Sequence, residues 1–354
     1  MRAFLIKLLP IHLKTKIKSL MRQIDTYCVF ILFRLGRGYG LYYAVVSRFT
    51  NQQRASIAGR VAFSTFVKQS NARSGFLRRH IHRLEKGLLM HPRKEVFALD
   101  YIGTTLDMFA QCLADNAISD NERDWAFAVL TEYFAVVNKN HPVLRPFHIK
   151  FESVSEQYNL VYSDAIPYAS AKRTSHSVTY NQLNELCQYR RSVRYFDDKP
   201  VEQDKLEQAI TLAAQAPSAC NRQSFKFISF NTPKDAQRIG AIAAGTAGFA
   251  HQFQSVLVLV GDLSAYPFEK DRHVIYIDGA LASMQLMLAL ETLGLSSCPI
   301  NWADEPVGEK HMQEALQLPS FQRVIMLIAV GYAKDDGMIA YSAKRPVTEL
   351  LDQR

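Results

Sequence analysis

Apolar residues recur at helical spacing in the first half of the chain. One series comprises Leu77, Ile81, Leu84 and Leu88, and a second follows residue 100. Asp120-Asn121-Glu122 is a typical helix start before a third apolar run. Residues 76–138 are therefore predicted to be helical. Residues 51–75 are polar with weak periodicity, and we expect a connector there.

The pattern changes after residue 180, where short apolar runs alternate with helical segments. Strands are predicted at 225–230, 256–261 and 324–330, with helices at 182–190, 201–215 and 277–293. No early strand precedes a glycine-rich turn, so a Rossmann dinucleotide fingerprint is absent. The helix at 277–293 is apolar on nearly every side, which indicates burial against a second subunit.

The chain has 354 residues, a length typical of two domains. Prolines and polar residues are frequent between residues 139 and 180. We therefore predict a basic, mainly helical N-terminal region at 1–150, a linker at 151–180 and a second domain at 181–354.

Positive charge is concentrated near the N-terminus. Residues 1–100 hold 19 Lys and Arg against 4 Asp and Glu, whereas the whole chain has a net charge of +9. Contact with an anionic membrane or glycan through residues 1–100 is one interpretation, and a basic arm packed on its own protein is the other. No nucleic-acid motif is present, and aromatic residues do not alternate with basic ones, which argues against nucleic acid.

The longest apolar run near the N-terminus, residues 27–33, is far shorter than the ~18–20 residues of a membrane-spanning helix. Lysines interrupt the first 20 residues, so a signal peptide is not expected either. We therefore expect a cytoplasmic protein, located at the inner membrane face if the basic segment binds lipid. The five cysteines are widely spaced, and we expect reduced thiols and no metal site.

Four short segments carry residues suited to binding a cofactor, although each alone is also typical of an ordinary turn or tail. They are RRSVRYF at 190–196, APSACNRQSF at 216–225, GLSSCPINW at 294–302 and SAKRP at 342–346. The first groups guanidinium forks with a serine hydroxyl, a donor set suited to phosphate. The second contains an asparagine amide, which can both donate to and accept from a heterocycle.

Taken together and in this order, the four segments resemble the nitroreductase family of flavin enzymes over residues 181–354. The resemblance implies an α+β fold, with a central, mostly antiparallel sheet flanked by helices and preceded here by the helical N-terminal region. It also implies a homodimer with FMN bound at the subunit interface. One departure is Gln223-Ser224-Phe225, where the family usually has Gln-Pro-Trp.

The resemblance also assigns expected roles to residues. Arg190, Arg191 and Ser192 are expected at the FMN phosphate, and Arg194 at the flavin N1–C2=O edge. The second segment is expected at the flavin ring from the other subunit, through Pro217, Ser218, Asn221 and Gln223. In the third segment, backbone groups of the stretch Pro299, Ile300, Asn301 and Trp302 are expected to lie at flavin N5. Lys344 or Arg345 is expected to return to the phosphate.

The implied function is that of an FMN-dependent oxidoreductase. Hydride would pass from NAD(P)H to a small acceptor such as a nitro compound, a quinone or a physiological substrate that the sequence does not identify. No catalytic side chain is predicted, because the cofactor performs the hydride step. The alternative hypothesis is a flavin-fold scaffold or accessory protein with little turnover in bacterial surface-polysaccharide or envelope assembly.

Overall fold

The computed structural model describes residues 50–66 and 70–353, together with scattered helical positions between 13 and 31. Two compact units are present. Met1–Asn51 with Asp304–Pro306 form one, and Gln52–Ala303 with Val307–Arg354 form the other. The predicted basic segment 1–50 therefore lies almost entirely outside the described residues. The predicted boundary at 151–180 stays a prediction.

The N-terminal region of the larger unit is helical, as predicted. Its helices are α1 (Asn51–Phe66), α2 (Ser70–Leu89), α3 (Ile102–Ala114), α4 (Asp120–Val136) and α5 (Arg145–Gln157). Apolar side chains from α2 to α5 form one core, in which the Leu77 and Ile81 side chains are fully buried. Gly87 allows the Phe97 ring to approach, because a Cβ there would lie 2.2 Å from a ring carbon.

The prediction of a connector at 51–75 is wrong, because α1 covers Asn51–Phe66 and α2 begins at Ser70. The buried side of α1 consists of small residues, including Ala55 and Ala62. A Cβ at Gly59 would lie 2.6 Å from the Leu263 carbonyl oxygen. Close packing through small residues buries this helix without the large apolar periodicity that predicts one.

Helix α5 also lies where the sequence predicted proline-rich irregular structure. Pro146 occupies the first turn of the helix, where the missing N–H of proline costs no hydrogen bond. Phe151 and Val154 are buried in the N-terminal core. The first residues of the predicted linker therefore belong to a packed helix.

The C-terminal part contains a four-stranded sheet in the order β1-β2-β4-β3. Its strands are β1 (Phe225–Phe230), β2 (Ser255–Asp262), β3 (Ser296–Asn301) and β4 (Gln322–Gly331), and every neighbouring pair is antiparallel. The helices are α6 (Tyr180–Tyr189), α7 (Gln203–Ala213), α8 (Pro233–Gly240), α9 (Val274–Thr292), α10 (Pro306–Leu316) and α11 (Val347–Leu350). The predicted α+β arrangement and its strands are confirmed.

Alternate residues of β2 enter two different cores. Val256 and Val258 pack in a core with residues of α8, whereas Leu257 packs with residues of α7 and α9. This two-residue period is that of a strand covered on both faces. Among the described residues, one helical stretch, Glu269–Thr292, is long and apolar enough to cross a membrane by length and composition. Half of its most apolar 18-residue window is buried within the described part of the chain.

Candidate active site

The RRSVRYF segment lies against strand β3. Arg190 caps the C-terminus of α6, and the Val193 N–H donates to the Ser297 carbonyl at 3.0 Å. Ser192 and Ser297 form an isolated parallel bridge. The first and third predicted segments are therefore brought together by backbone pairing.

This junction holds positive charge that no carboxylate neutralises by direct contact. Arg190, Arg191 and Arg194 are each half-buried, and none forms an ion pair within the part of the chain that the structure describes. Arg194 Nη1 donates to the Ser192 carbonyl at 3.3 Å, and its guanidinium lies 5.6 Å from the Phe249 ring centroid. The Ser297 hydroxyl is buried and makes no hydrogen bond to a described residue. Guanidinium and serine donors of this kind fit a phosphate group.

A half-buried glutamate adjoins the same junction. Glu291, on α9, accepts a hydrogen bond from the Ser296 hydroxyl at 3.3 Å. Burial raises the pKa of its carboxyl group to about 7, although Ser296 and the charge of Arg190 oppose that shift. No local sequence pattern marks Glu291 as a site residue, because only the fold brings it near Arg190.

The APSACNRQSF segment forms a tight turn with its own hydrogen bonds. The Gln223 amide donates to the Asn221 side-chain oxygen at 3.0 Å, and the Gln223 backbone N–H donates to the Ser218 hydroxyl at 3.1 Å. Cys220, Asn221 and Gln223 have φ values of 55°, 51° and 51°. Residues other than glycine are held in this left-handed region only by strong surrounding contacts.

Two contacts from outside the segment supply that support. The Asp278 carboxylate on α9 accepts from the Ala219 N–H at 3.0 and 3.2 Å. From the N-terminal region, Arg78 Nε donates to the Asn221 carbonyl at 2.8 Å. Arg78 also lies 3.5 Å from the Glu122 carboxylate and 5.1 Å from the Trp125 ring centroid. Helices α2 and α4 therefore fix the turn.

Trp302, which the resemblance places near flavin N5, makes contacts within the chain. Its indole N–H donates to Glu309 at 2.8 Å, and the ring packs against a core cluster. Glu309 in turn lies 3.2 Å from the buried Arg323 guanidinium. The ring is half-buried and packs against this core. Contact of FMN with Pro299, Ile300, Asn301 and Trp302 stays a prediction.

The SAKRP segment lies on the surface, and its contact with the FMN phosphate stays a prediction. Lys344 and Arg345 are exposed, and Arg345 pairs with Glu349 at 2.9 Å. The exposed Pro217 likewise lies on the surface. Within residues 50–66 and 70–353, no group of three or more His, Cys, Asp or Glu side chains is arranged to hold a metal ion.

The C-terminal half of the chain is similar in sequence to known flavin-linked reductases. The model of the nitroreductase family matches residues 187–262 and 236–332. YdgI of Bacillus subtilis, assigned as an NAD(P)H nitroreductase, is 25% identical over 198 residues, covering 46% of this chain and 93% of that protein. The FMN reductase [NAD(P)H] of the same organism is 26% identical over 170 residues, covering 44% of this chain and 66% of the relative.

A solved structure of a nitroreductase family protein from Streptococcus pneumoniae is 24% identical. The alignment covers 49% of this chain and 100% of that one, with a TM-score of 0.41. The similarity to the nitroreductase family that the sequence motifs predicted is confirmed over residues 187–332. The helices α1 to α5 lie outside the matched residues.

Proposed function

We propose that this protein is an FMN-dependent oxidoreductase that takes hydride from NAD(P)H and passes it to a small acceptor. The observation that carries the proposal is the cluster of guanidiniums and serine hydroxyls between the RRSVRYF segment and β3, in which no arginine forms an ion pair with a described carboxylate. The names of the relatives support the choice of cofactor and electron donor. Bound FMN would supply the hydride chemistry, which ordinary side chains do not perform.

In this proposal the protein's own residues bind and orient the cofactor. Arg190, Arg191 and Ser192 would hold the phosphate through charge-assisted hydrogen bonds. Arg194 would lie at the N1–C2=O edge, where a fixed guanidinium stabilises negative charge without reorganisation. Ser218, Asn221 and Gln223 would contact the ring system as one hydrogen-bonded unit.

We propose that the working form is a homodimer formed through α9. Ile277, Leu281 and Met284 recur at helical spacing on that helix, with exposed fractions of 52%, 43% and 39%. A second copy would cover this stripe, and apolar stripes of this kind mark association surfaces. The same association would give the exposed Lys344 and Arg345 a phosphate to contact on the partner.

We also propose a cytoplasmic location, with residues 1–50 contacting an anionic membrane or glycan. This proposal rests on charge, with 9 Lys and Arg against Asp25 alone in that segment. The basic residues of α2 contribute less, because Arg73 and Arg78 turn inward to pair with Asp115 and Glu122. Co-sedimentation with neutral and anionic vesicles at low and high salt tests it, and equal binding to both kinds of vesicle contradicts it.

The cofactor site is tested by titrating the full chain with FMN and following flavin fluorescence. Arg190→Ala should weaken FMN binding by about tenfold or more, because a charge-assisted hydrogen bond contributes about 1.5–3 kcal/mol. Arg238→Ala is the matched control, since this exposed arginine lies on α8 and pairs with its helix neighbour Asp235 at 3.1 Å. Equal FMN affinity in wild type and Arg190→Ala removes Arg190 from the phosphate site.

A further inference from the structure

The described positions of the N-terminal segment include a row of exposed apolar residues. Nine positions between residues 13 and 31 are described, and all nine are helical. Side chains three or four residues apart lie on one face of a helix. Six of the nine are apolar and follow one another at intervals of four, three, four, three and four residues: Leu13, Ile17, Leu20, Ile24, Tyr27 and Ile31. We call these six residues the N-terminal apolar row.

The N-terminal apolar row is open to solvent. Ile17 is half-buried, and the other five residues have exposed fractions between 38% and 69%. Single exposed apolar residues are ordinary on a protein surface, whereas a continuous set of them marks a surface that binds another molecule. Five large side chains exposed on one helical face therefore require an occupant.

The remaining described positions of this segment are polar and form a separate row. Lys16, Ser19 and Gln23 are exposed, and they too are three and four residues apart. At 3.6 residues per turn, this polar row is rotated by about a quarter of a turn from the apolar one. The sequence between residues 13 and 31 carries four Lys and Arg against Asp25 alone. The segment is therefore amphipathic and positively charged.

The chemistry of the N-terminal apolar row favours lipid over glycan. Leucine and isoleucine side chains gain free energy when they pass from water into hydrocarbon. A glycan would instead set hydroxyl groups against these side chains, which cannot hydrogen-bond to them. An anionic bilayer offers headgroups to the basic residues and acyl chains to the apolar row. Tyr27 fits the boundary between the two, because its ring is apolar and its hydroxyl is polar.

A second copy of this chain is the other candidate to cover the row. Its isoleucines alternate with Leu13, Leu20 and Tyr27, as at the a and d positions of a two-stranded coiled coil. A coiled coil is indicated by such a pattern only when it continues for about three to four heptads, and this row is shorter than three. Two copies would also bring together segments that each hold 9 Lys and Arg against one Asp. Length and charge therefore favour a membrane surface.

We propose that the N-terminal apolar row inserts into the surface of a bilayer that contains anionic phospholipids. The helical segment lies in the plane of the membrane, with the row at the acyl chains and Lys16 at the headgroups. This inference rests on the proposed contact of residues 1–50 with a membrane or a glycan, and it assigns lipid as the ligand. It adds the burial of apolar side chains to that contact, so binding depends on more than charge. It is independent of FMN binding and of hydride transfer.

The test is co-sedimentation of the full chain with phosphatidylcholine vesicles, prepared with and without phosphatidylglycerol, at low and high salt. We expect binding to the phosphatidylglycerol vesicles that high salt weakens but does not abolish, because salt screens charge and not apolar burial. Binding that high salt abolishes overturns the insertion and leaves the charge-based contact standing. Flavin absorbance of the same samples keeps the result separate from that of the proposed oxidoreductase.

One pair of variants tests the apolar row at constant charge. Ile24→Ser should weaken vesicle binding about tenfold, because an apolar side chain is lost from the acyl region. Ile57→Ser is the matched control, since Ile57 lies on α1, outside the row, and both isoleucines are 55% exposed. Ile57→Ser should leave binding unchanged. Equal vesicle affinity of Ile24→Ser and wild type overturns the proposal.

A second pair of variants tests the depth of insertion. Leu20→Trp places an indole in the apolar row, and Ser19→Trp places one in the polar row. Lipids brominated in their acyl chains should quench the fluorescence of Leu20→Trp more strongly than that of Ser19→Trp, above the background of Trp125 and Trp302. Equal quenching overturns the insertion. So does binding to dextran sulfate without binding to vesicles, which assigns a glycan. A loss of oligomeric mass in Ile24→Ser without vesicle binding assigns a second copy and also overturns it.

Discussion

Arg78 Nε donates to the backbone carbonyl of Asn221 at 2.8 Å, across 143 positions of sequence. Arg78 lies on α2, outside the residues that match the nitroreductase family, whereas Asn221 lies within them. The contact holds a residue with left-handed backbone geometry. The N-terminal helices are therefore part of the support of the turn proposed to contact the flavin.

Replacing Arg78 should disturb this turn. Arg78→Gln removes the hydrogen bond to Asn221 and leaves Glu122 without its cation. We expect FMN affinity to fall by about threefold to tenfold, as for loss of one hydrogen bond of about 1 kcal/mol. Fluorescence titration with FMN measures the change.

Glu122→Gln is the matched control for that variant. It removes the same ion pair but keeps the hydrogen bond to Asn221. FMN affinity should stay close to that of wild type in Glu122→Gln, even if the melting temperature falls. Equal losses of FMN affinity in the two variants would indicate general destabilisation and contradict the positioning role of Arg78.

The close approach of α1 to Leu263 requires a glycine at position 59. A Cβ there would lie 2.6 Å from the Leu263 carbonyl oxygen and 2.7 Å from its carbonyl carbon. Gly59→Ala should lower the free energy of unfolding by about 1–3 kcal/mol, the usual cost of overpacking. Helix propensity alone favours alanine by about 1 kcal/mol. Gly248→Ala, with nothing within 4 Å, is the control. The free energies of unfolding are measured by urea denaturation. A Gly59→Ala variant more stable than wild type would contradict the close packing of α1 on Leu263.

Glu291 should make stability depend on pH. Burial raises the pKa of its carboxyl from 4.5 to about 7, so the folded protein keeps a proton that the unfolded chain releases. This contribution to stability is complete below pH 4.5 and is lost as the pH rises through about 7.

The melting temperature of Glu291→Gln, taken relative to that of wild type at the same pH, should therefore increase as the pH rises from 5 to 8. A change of 1 kcal/mol corresponds to about 2–4 °C for a domain of 150–250 residues, and the shift in this longer chain should be at the lower end of that range or below it. Glu156→Gln, an exposed position, is the control. A difference between Glu291→Gln and wild type that is constant over this pH range would show that Glu291 does not titrate there.

The proposed dimer predicts the effect of a charge on α9. Met284→Asp would bury a carboxylate in the apolar stripe, at a cost of about 3 kcal/mol or more. The dimer dissociation constant should rise by at least about a hundredfold, as sedimentation equilibrium measures. Leu212→Asp is the control, since this exposed residue lies on α7. A wild-type chain that is monomeric at micromolar concentration while it holds FMN excludes the shared site.

Local patterns predicted the C-terminal part of the fold well. The apolar run at 256–261 is the central strand β2, and the run at 324–330 is its partner β4. Both strands are covered on two faces, so their sequences are almost wholly apolar. The pairing of Ser192 with Ser297 could not be predicted in this way, because it joins residues that only the fold brings together.

The N-terminal helices show where local patterns fail. Helix α1 buries Ala55, Gly59 and Ala62, which carry little hydrophobic signal. Arginines on a helix usually lie on its solvated face. Arg73 and Arg78 instead turn inward to Asp115 and Glu122. Ion pairs between distant residues leave no periodic signal in a single sequence.

The central claim is that this protein binds FMN and reduces it with NAD(P)H. The most direct measurement is the visible absorbance spectrum of the purified full chain, recorded before and after anaerobic addition of NADH or NADPH. We expect a yellow protein with an oxidised flavin spectrum that bleaches on addition of one of the two donors. A yellow protein that neither donor bleaches would favour the scaffold hypothesis. A chain that neither retains FMN nor binds added FMN would contradict the account.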